Sequence, residues 1–144
     1  MPVDTKTYRT PLSRPLFSVR NSKTLLSGKK EFENVKLFTD DSMKRLNDNM
    51  NRLSDILGRK GIRLCFMPVV DKYNLYCDYS VGKKRPRNPF FEKFSKQDKK
   101  YLYIDTKALL LEEVNKGEKD VFLADDAHWS YKAPKKIFET FRFE

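Results

Sequence analysis

A single histidine, His128, is all the imidazole in 144 residues. With no second histidine and no paired ligands, only carboxylates remain to hold a metal, so neither a metal site nor a cofactor is expected. Only two cysteines are present, Cys65 and Cys77, and no Cys/His pair accompanies them, which leaves neither zinc-ligand spacing nor a disulfide framework. Cys65 falls in an apolar run and reads as an inert core thiol. Nothing approaches the roughly 18 uninterrupted apolar residues of a membrane-crossing helix. The first residues, Met1 to Lys6, have no apolar core of a secretory signal, so the chain as written is expected to stay in the cytoplasm unless its true start lies upstream.

Charge and aromatic rings are what the chain does have. Charged residues make up 35% and apolar ones only 39%, but 13% aromatics is too many for a disordered chain, so a small folded domain with a mobile part is expected. The net charge of +10 implies a general attraction to polyanions. A nucleic-acid interface wants that charge on one face. Here the basic pairs are scattered (Lys29-Lys30, Arg59-Lys60, Lys99-Lys100, Lys135-Lys136), and nucleic acid is not the expected partner.

Residues 1–37 hold Pro2, Pro11 and Pro15 and show no sustained periodicity; they read as an extended N-terminal arm, with a short strand at Leu16 to Val19 and Arg14-Pro15-Leu16-Phe17 able to dock. The domain proper is expected over 38–144. Thr39 followed by Asp40 and Asp41 is a helix start. Met43, Leu46, Met50, Leu53 and Leu57 then form one apolar stripe, with Asn47 and Asn51 off it and Gly58 placed to end the helix. Ile62 to Met67 reads as a buried strand. Residues 80–89 form a basic loop, and Phe90, Phe91 and Phe94 suggest a short inward-packing helix. Tyr101 to Ile104 is a second strand, a helix over about 107–116 ends at Gly117, and Asp120 to Ala124 is a third strand. Ser130 can cap a last helix that turns Ile137, Phe138 and Phe141 inward. The alternation implies an α/β fold: a small three-layer α/β/α arrangement with a mostly parallel sheet of about three strands.

The third strand runs into Asp125-Asp126-Ala127-His128-Trp129-Ser130. Two carboxylates before the one histidine, in the loop after a strand, place an acid/histidine pair where open α/β sheets bind ligands. Gly61-Ile-Arg-Leu-Cys-Phe-Met-Pro-Val-Val-Asp-Lys-Tyr-Asn-Leu-Tyr76 resembles the strand and Pro-x-x-Asp-Lys-Tyr-like segment of SGNH-hydrolase-like proteins of the alginate O-acetyltransferase type. Tyr103-Ile-Asp-Thr106 is similar to their next strand, and residues 125–130 resemble their Asp-x-His-Trp motif. The resemblance spans roughly 38–141.

It implies a partial SGNH/flavodoxin-like fold and two members of a Ser-His-Asp triad. His128 would be the general base. Asp126, in the Asp-x-His spacing, or Asp125, in the older Asp-x-x-His spacing, would hold its imidazole. Trp129, Asp71, Lys72 and Tyr73 would line the substrate. The nucleophile is the departure: there is no Gly-x-Ser turn, and Ser27, Ser42, Ser54, Ser95 and Ser130 are weak candidates, as Asn74 and Asn88 are for oxyanion donors. The function implied is an SGNH-like esterase or O-acyltransferase-related domain acting on acylated carbohydrate, incomplete for want of a serine and completed by a further chain segment. The alternative is a non-catalytic carbohydrate- or polyanion-binding remnant of the same fold, using Trp129, Tyr73, Tyr76 and the basic loop. Relatives of this type are often exported or membrane-associated.

Overall fold

The computed structural model describes residues 6–82 and 84–142; the first residues of the arm and Lys83 of the basic loop lie outside them. Four strands and five α-helices follow one another among the described residues, with three short 3-10 turns between them: β1 (Thr7–Pro11), β2 (Thr24–Gly28), α1 (Asp40–Gly58), β3 (Cys65–Phe66), α2 (Lys72–Tyr76), α3 (Phe90–Phe94), β4 (Leu102–Tyr103), α4 (Thr106–Asn115) and α5 (Lys132–Thr140). The fold is mixed α/β with two small sheets, an antiparallel β1–β2 pair and a parallel β3–β4 pair. No helix among the described residues is long and apolar enough to cross a membrane.

The long helix α1 begins as its sequence demands. Thr39 Oγ1 accepts from the Ser42 N–H at 3.1 Å and Ser42 Oγ accepts from the Thr39 N–H at 2.9 Å, a reciprocal cap. Its end is set by Gly61 more than by Gly58. Gly58 is the last helical residue, while Gly61, at φ +72°, lets the Ile62 N–H return to the Leu57 carbonyl at 3.0 Å.

The buried stripe of α1 differs from the expected one: Asn47 is buried and Leu53 is exposed. The reason is the neighbour, which is backbone. Asn47 Nδ2 donates to the Asp98 carbonyl at 2.7 Å, Asn51 Oδ1 accepts from the Lys100 N–H at 2.8 Å, and Ser54 Oγ donates to the Lys100 carbonyl at 3.1 Å. Tyr101 OH donates to Asn47 Oδ1 at 2.5 Å. A polar row thus grips the segment that leads into β4 and sets its register against β3, where Cys65 pairs with Leu102 and Phe66 with Tyr103. Met43, Phe94 and Tyr101 form a small core there, with Leu46, Met50, Leu64 and Phe66 against it. Cys65 is exposed, contrary to the core thiol expected; it is Cys77 that is buried.

Residues 7–37 do not stand apart as an arm. β1 and β2 form a hairpin in which Arg9 faces Leu26 and Thr10 faces Leu25. Leu16 and Phe17, expected as a strand, lie instead in a bend and are 1% and 0% exposed. They belong to the main core with Leu12, Leu25, Tyr73, Tyr76, Leu110, Val114 and Ile137. Arg14 fastens this segment, its guanidinium 4.1 Å over the Tyr79 ring and donating to the Val114 carbonyl. Alternation hides here because each strand offers the core only one or two side chains, some of them Thr10 and Ser27.

Helices α4 and α5 pack together, joined by Lys136 to Glu112 at 3.1 Å and to Glu113 at 3.2 Å. Ile137 is buried as expected, but Phe138 is exposed. The third strand expected at 120–124 does not join a sheet. Its residues turn back on their own continuation: Phe122 bridges Trp129, the Leu123 N–H donates to the His128 carbonyl at 3.0 Å, and the Ser130 N–H to the Val121 carbonyl at 2.9 Å.

Candidate active site

That turn-back presents residues 123–128 as a tight loop at the protein surface. At its base, Asp120 adopts φ +57° and its carboxylate accepts from the Ser18 N–H at 2.9 Å, which ties the loop to the N-terminal segment. The Ser130 hydroxyl donates to the Asp120 carbonyl, closing the loop's neck. Tyr76, fully buried, accepts the Phe122 N–H on its hydroxyl at 3.1 Å; burial pushes its phenol up to about 12.

Within the loop, Asp126 Oδ1 lies 2.5 Å from His128 Nδ1 and also accepts the His128 N–H at 2.9 Å. These two bonds, the backbone one first, hold the Asp126 carboxyl below the usual carboxylate range. A carboxylate on Nδ1 selects the tautomer with Nδ1 protonated and leaves Nε2 with its lone pair. His128 is 83% exposed, so that lone pair is open to a reactant. Asp125 makes no such bond to the ring. Its place is at the mouth of a cavity of about 180 Å³ lined also by Arg9, Val19, Thr24, Leu26 and Ala124, between the β1–β2 hairpin and the loop.

The four residues expected against substrate separate. Trp129 is half-buried and packs on the main core. Asp71 caps α2, its carboxylate accepting from the Asn74 N–H at 2.8 Å and from Asn74 Nδ2 at 2.7 Å, and burial raises its pKa. Lys72 and Tyr73 are inside the protein, 1% and 0% exposed, and neither can reach a substrate there. Tyr73 OH exchanges hydrogen bonds with the backbone of Arg85, at 3.1 Å to its N–H and 3.3 Å to its carbonyl. Lys72 Nζ donates to the carbonyls of Ala124 at 2.9 Å and Asp126 at 3.0 Å. Burial lowers its pKa, opposed by the nearby carboxylates of Glu31, Asp125 and Asp126.

No serine hydroxyl among the described residues is hydrogen-bonded to His128. Ser42 caps α1, Ser54 bonds the Lys100 carbonyl, Ser95 bonds Tyr103 and Asp105, and Ser27 Oγ is buried without a partner. Asn74 is no free oxyanion donor, since its Nδ2 bonds Asp71 and its Oδ1 accepts the Asn88 N–H at 2.8 Å. The basic loop is largely engaged as well: Arg85 stacks 3.9 Å over Tyr8 and Arg87 pairs with Asp78 at 2.6 Å.

A model of the SGNH hydrolase-like domain of acetyltransferase AlgX matches residues 29–136, which include α1, β3, β4 and the whole Asp126–His128 loop. The chain belongs to this family. No curated protein and no solved structure matches it. Two residues outside the Asp/His/Trp and Asp-Lys-Tyr stretches also bear on the site of this SGNH-like chain. Glu31, half-buried, accepts the Tyr73 N–H at 2.7 Å and the Gly28 N–H at 3.1 Å, and desolvation raises its pKa. Phe17 lies 5.2 Å from Lys72 Nζ. Glu31 has no sequence signal, because its partner is more than forty positions away, whereas Phe17 falls in the segment expected to dock.

Proposed function

We propose that this chain carries the acid/base half of an SGNH-like esterase or O-acyltransferase site for acylated carbohydrate. The observation that supports it is the Asp126–His128 pair, 2.5 Å apart at Nδ1, with the other ring nitrogen open to solvent. In that role Nε2 takes the proton from a serine hydroxyl as the oxygen attacks the acyl carbonyl, and Asp126 stabilises the imidazolium that forms. The imidazolium then returns the proton to the leaving alkoxide, and the acyl group passes from serine to water or to a sugar hydroxyl. The serine and the oxyanion donors come from outside the described residues, so a complementary chain segment is the partner this reading implies. The cavity of about 180 Å³ beside Asp125 is the place for the acylated sugar, with Arg9 and Thr24 as polar groups in its lining. Hydrolysis of p-nitrophenyl acetate, an ester activated enough for Nε2 to act as base toward water in place of the serine, tests the pair in this chain: His128→Ala should fall to the rate of buffer, and equal rates would contradict the reading.

One observation favours a second reading: no serine among the described residues meets His128. A domain that binds acidic carbohydrate without turnover fits that fact. Because Trp129 is the only tryptophan, its fluorescence reports directly. A saturable change on titration with an acidic polysaccharide, unaltered in His128→Ala, supports binding alone; silence across a panel of polysaccharides sinks it.

A further inference from the structure

We propose that Lys72 is a positioning residue for the Asp126–His128 pair: its buried ammonium clamps the carbonyls of Ala124 and Asp126 and so fixes the turn on which the pair is built. This deepens the functional reading of the same site, but its argument is geometric and needs no turnover.

The loop has little else to hold its shape. Asp125, Asp126, Ala127 and His128 are all exposed, so no side chain between Ala124 and Trp129 is anchored in the core. The remaining bonds are local ones, from the Leu123 N–H to the His128 carbonyl and from the His128 N–H to Asp126. Among the described residues, Lys72 is the side chain that reaches this stretch from inside by a hydrogen bond, and it takes the two carbonyls that bracket Asp125. With both carbonyls drawn inward, the Asp126 side chain is left on the His128 side, at 2.5 Å from Nδ1.

The clamp is itself held. Lys72 is the first residue of α2. Asp71 caps that helix and Glu31 accepts the Tyr73 N–H. An ammonium has three N–H donors. Two bond carbonyls, and the group lies 5.2 Å from the centre of the Phe17 ring, with Glu31, Asp125 and Asp126 as the charges nearby. A long flexible side chain 1% exposed is costly to bury as a cation unless its donors are met, and here carbonyls meet them. The geometry thus accounts for a lysine where an apolar residue of equal length would pack as well.

Lys72→Met keeps the length and removes the donors. With the histidine neutral, ¹⁵N NMR should show His128 held as the Nδ1–H tautomer in the parent protein and shifted toward the Nε2–H form in the variant. The Asp126 carboxyl should titrate higher in the variant, back toward the ordinary carboxylate range. Tyr76→Phe is the control: it removes a buried bond to Phe122 at the base of the same loop, and should lower stability while leaving both signals in place. A folded Lys72→Met protein with parental tautomer and Asp126 titration overturns the proposal, as does a Tyr76→Phe protein that moves both signals equally.

Should Lys72→Met fail to fold, reductive methylation of the native parent protein decides. Peptide mapping should then find exposed lysines such as Lys44 and Lys60 dimethylated and Lys72 unmodified, and methylation of Lys72 at the same rate as these would overturn the clamp. A protein inert toward esters that gives all these signals would remove the functional reading and leave the clamp standing.

Discussion

Replacing Phe17 by alanine tests whether the N-terminal segment is part of the core or merely laid upon it. Phe17 is 0% exposed. Its ring meets Tyr76 edge-on at 5.3 Å between centroids and lies 5.2 Å from the Lys72 ammonium. Truncating a buried phenylalanine to alanine costs about 3–5 kcal/mol, from lost transfer energy and the cavity left behind. The upper part of that range applies here, because the cavity would open against Tyr76 and Lys72, whose other bonds keep them from collapsing into it. Small domains are stable by only about 5–15 kcal/mol, so Phe17→Ala should remove a large share of the total. The assay is urea denaturation followed by circular dichroism, with Val19→Ala as the comparison. Val19 is 50% exposed and its truncation should change stability by less than about 0.5 kcal/mol. A loss below about 1 kcal/mol for Phe17→Ala would refute the reasoning and return residues 7–37 to the status of a loose arm.

Other outcomes follow from the same contacts. Asn47→Ala should cost roughly 1–3 kcal/mol in the same urea assay, because it strands the buried Tyr101 hydroxyl. Thr39→Ala, which removes the side-chain half of the α1 cap, should cost about 1 kcal/mol. The Asp126 carboxyl is depressed in the folded protein, so its stabilising contribution is present above the unfolded carboxylate pKa of about 3.9 and is lost as pH falls through the folded value. Thermal melts of the parent and Asp126→Asn should therefore differ at pH 5 and converge as the pH falls through the lowered value of the folded protein; a gap that stays constant as the pH falls would mean that the carboxylate is not the group responsible.

Local signals were legible in the chain and long-range ones were not. The start of α1 could be read from Thr39, Asp40 and Asp41 because a cap is made by residues three apart. The buried face of α1 could not be read in full. Asn47 is inside only because the backbone at Asp98 and Lys100 comes to meet it, and hydrophobic spacing carries no trace of that. The hairpin of β1 and β2 escaped for a related reason: a strand that buries Thr10 or Ser27 shows no apolar alternation. The run Val121 to Ala124 has the composition of a strand, yet its partner is the chain a few residues on, so it became the leg of a loop.

At the site, the spacing offered both Asp126 and Asp125 as partners of His128, and only the fold separates them, since Asp126 alone bonds Nδ1 among the described residues. The segment Asp71-Lys72-Tyr73 also stood out, but its use did not. Polar residues beyond a strand suggest substrate contact, whereas burial of Lys72 and Tyr73 turns them inward, one toward the loop that carries His128 and one toward the backbone of Arg85.

We propose that Asp126 and His128 act as one acid/base unit, and the rate of p-nitrophenyl acetate hydrolysis in three single variants decides it. His128→Ala and Asp126→Asn should both fall to the rate of buffer alone, while Asp125→Asn, which leaves the Nδ1 bond intact and lines a cavity for the sugar that this ester lacks, should keep the parental rate. Loss of the rate in Asp125→Asn with Asp126→Asn unaffected, or parental rates in all three, would contradict it.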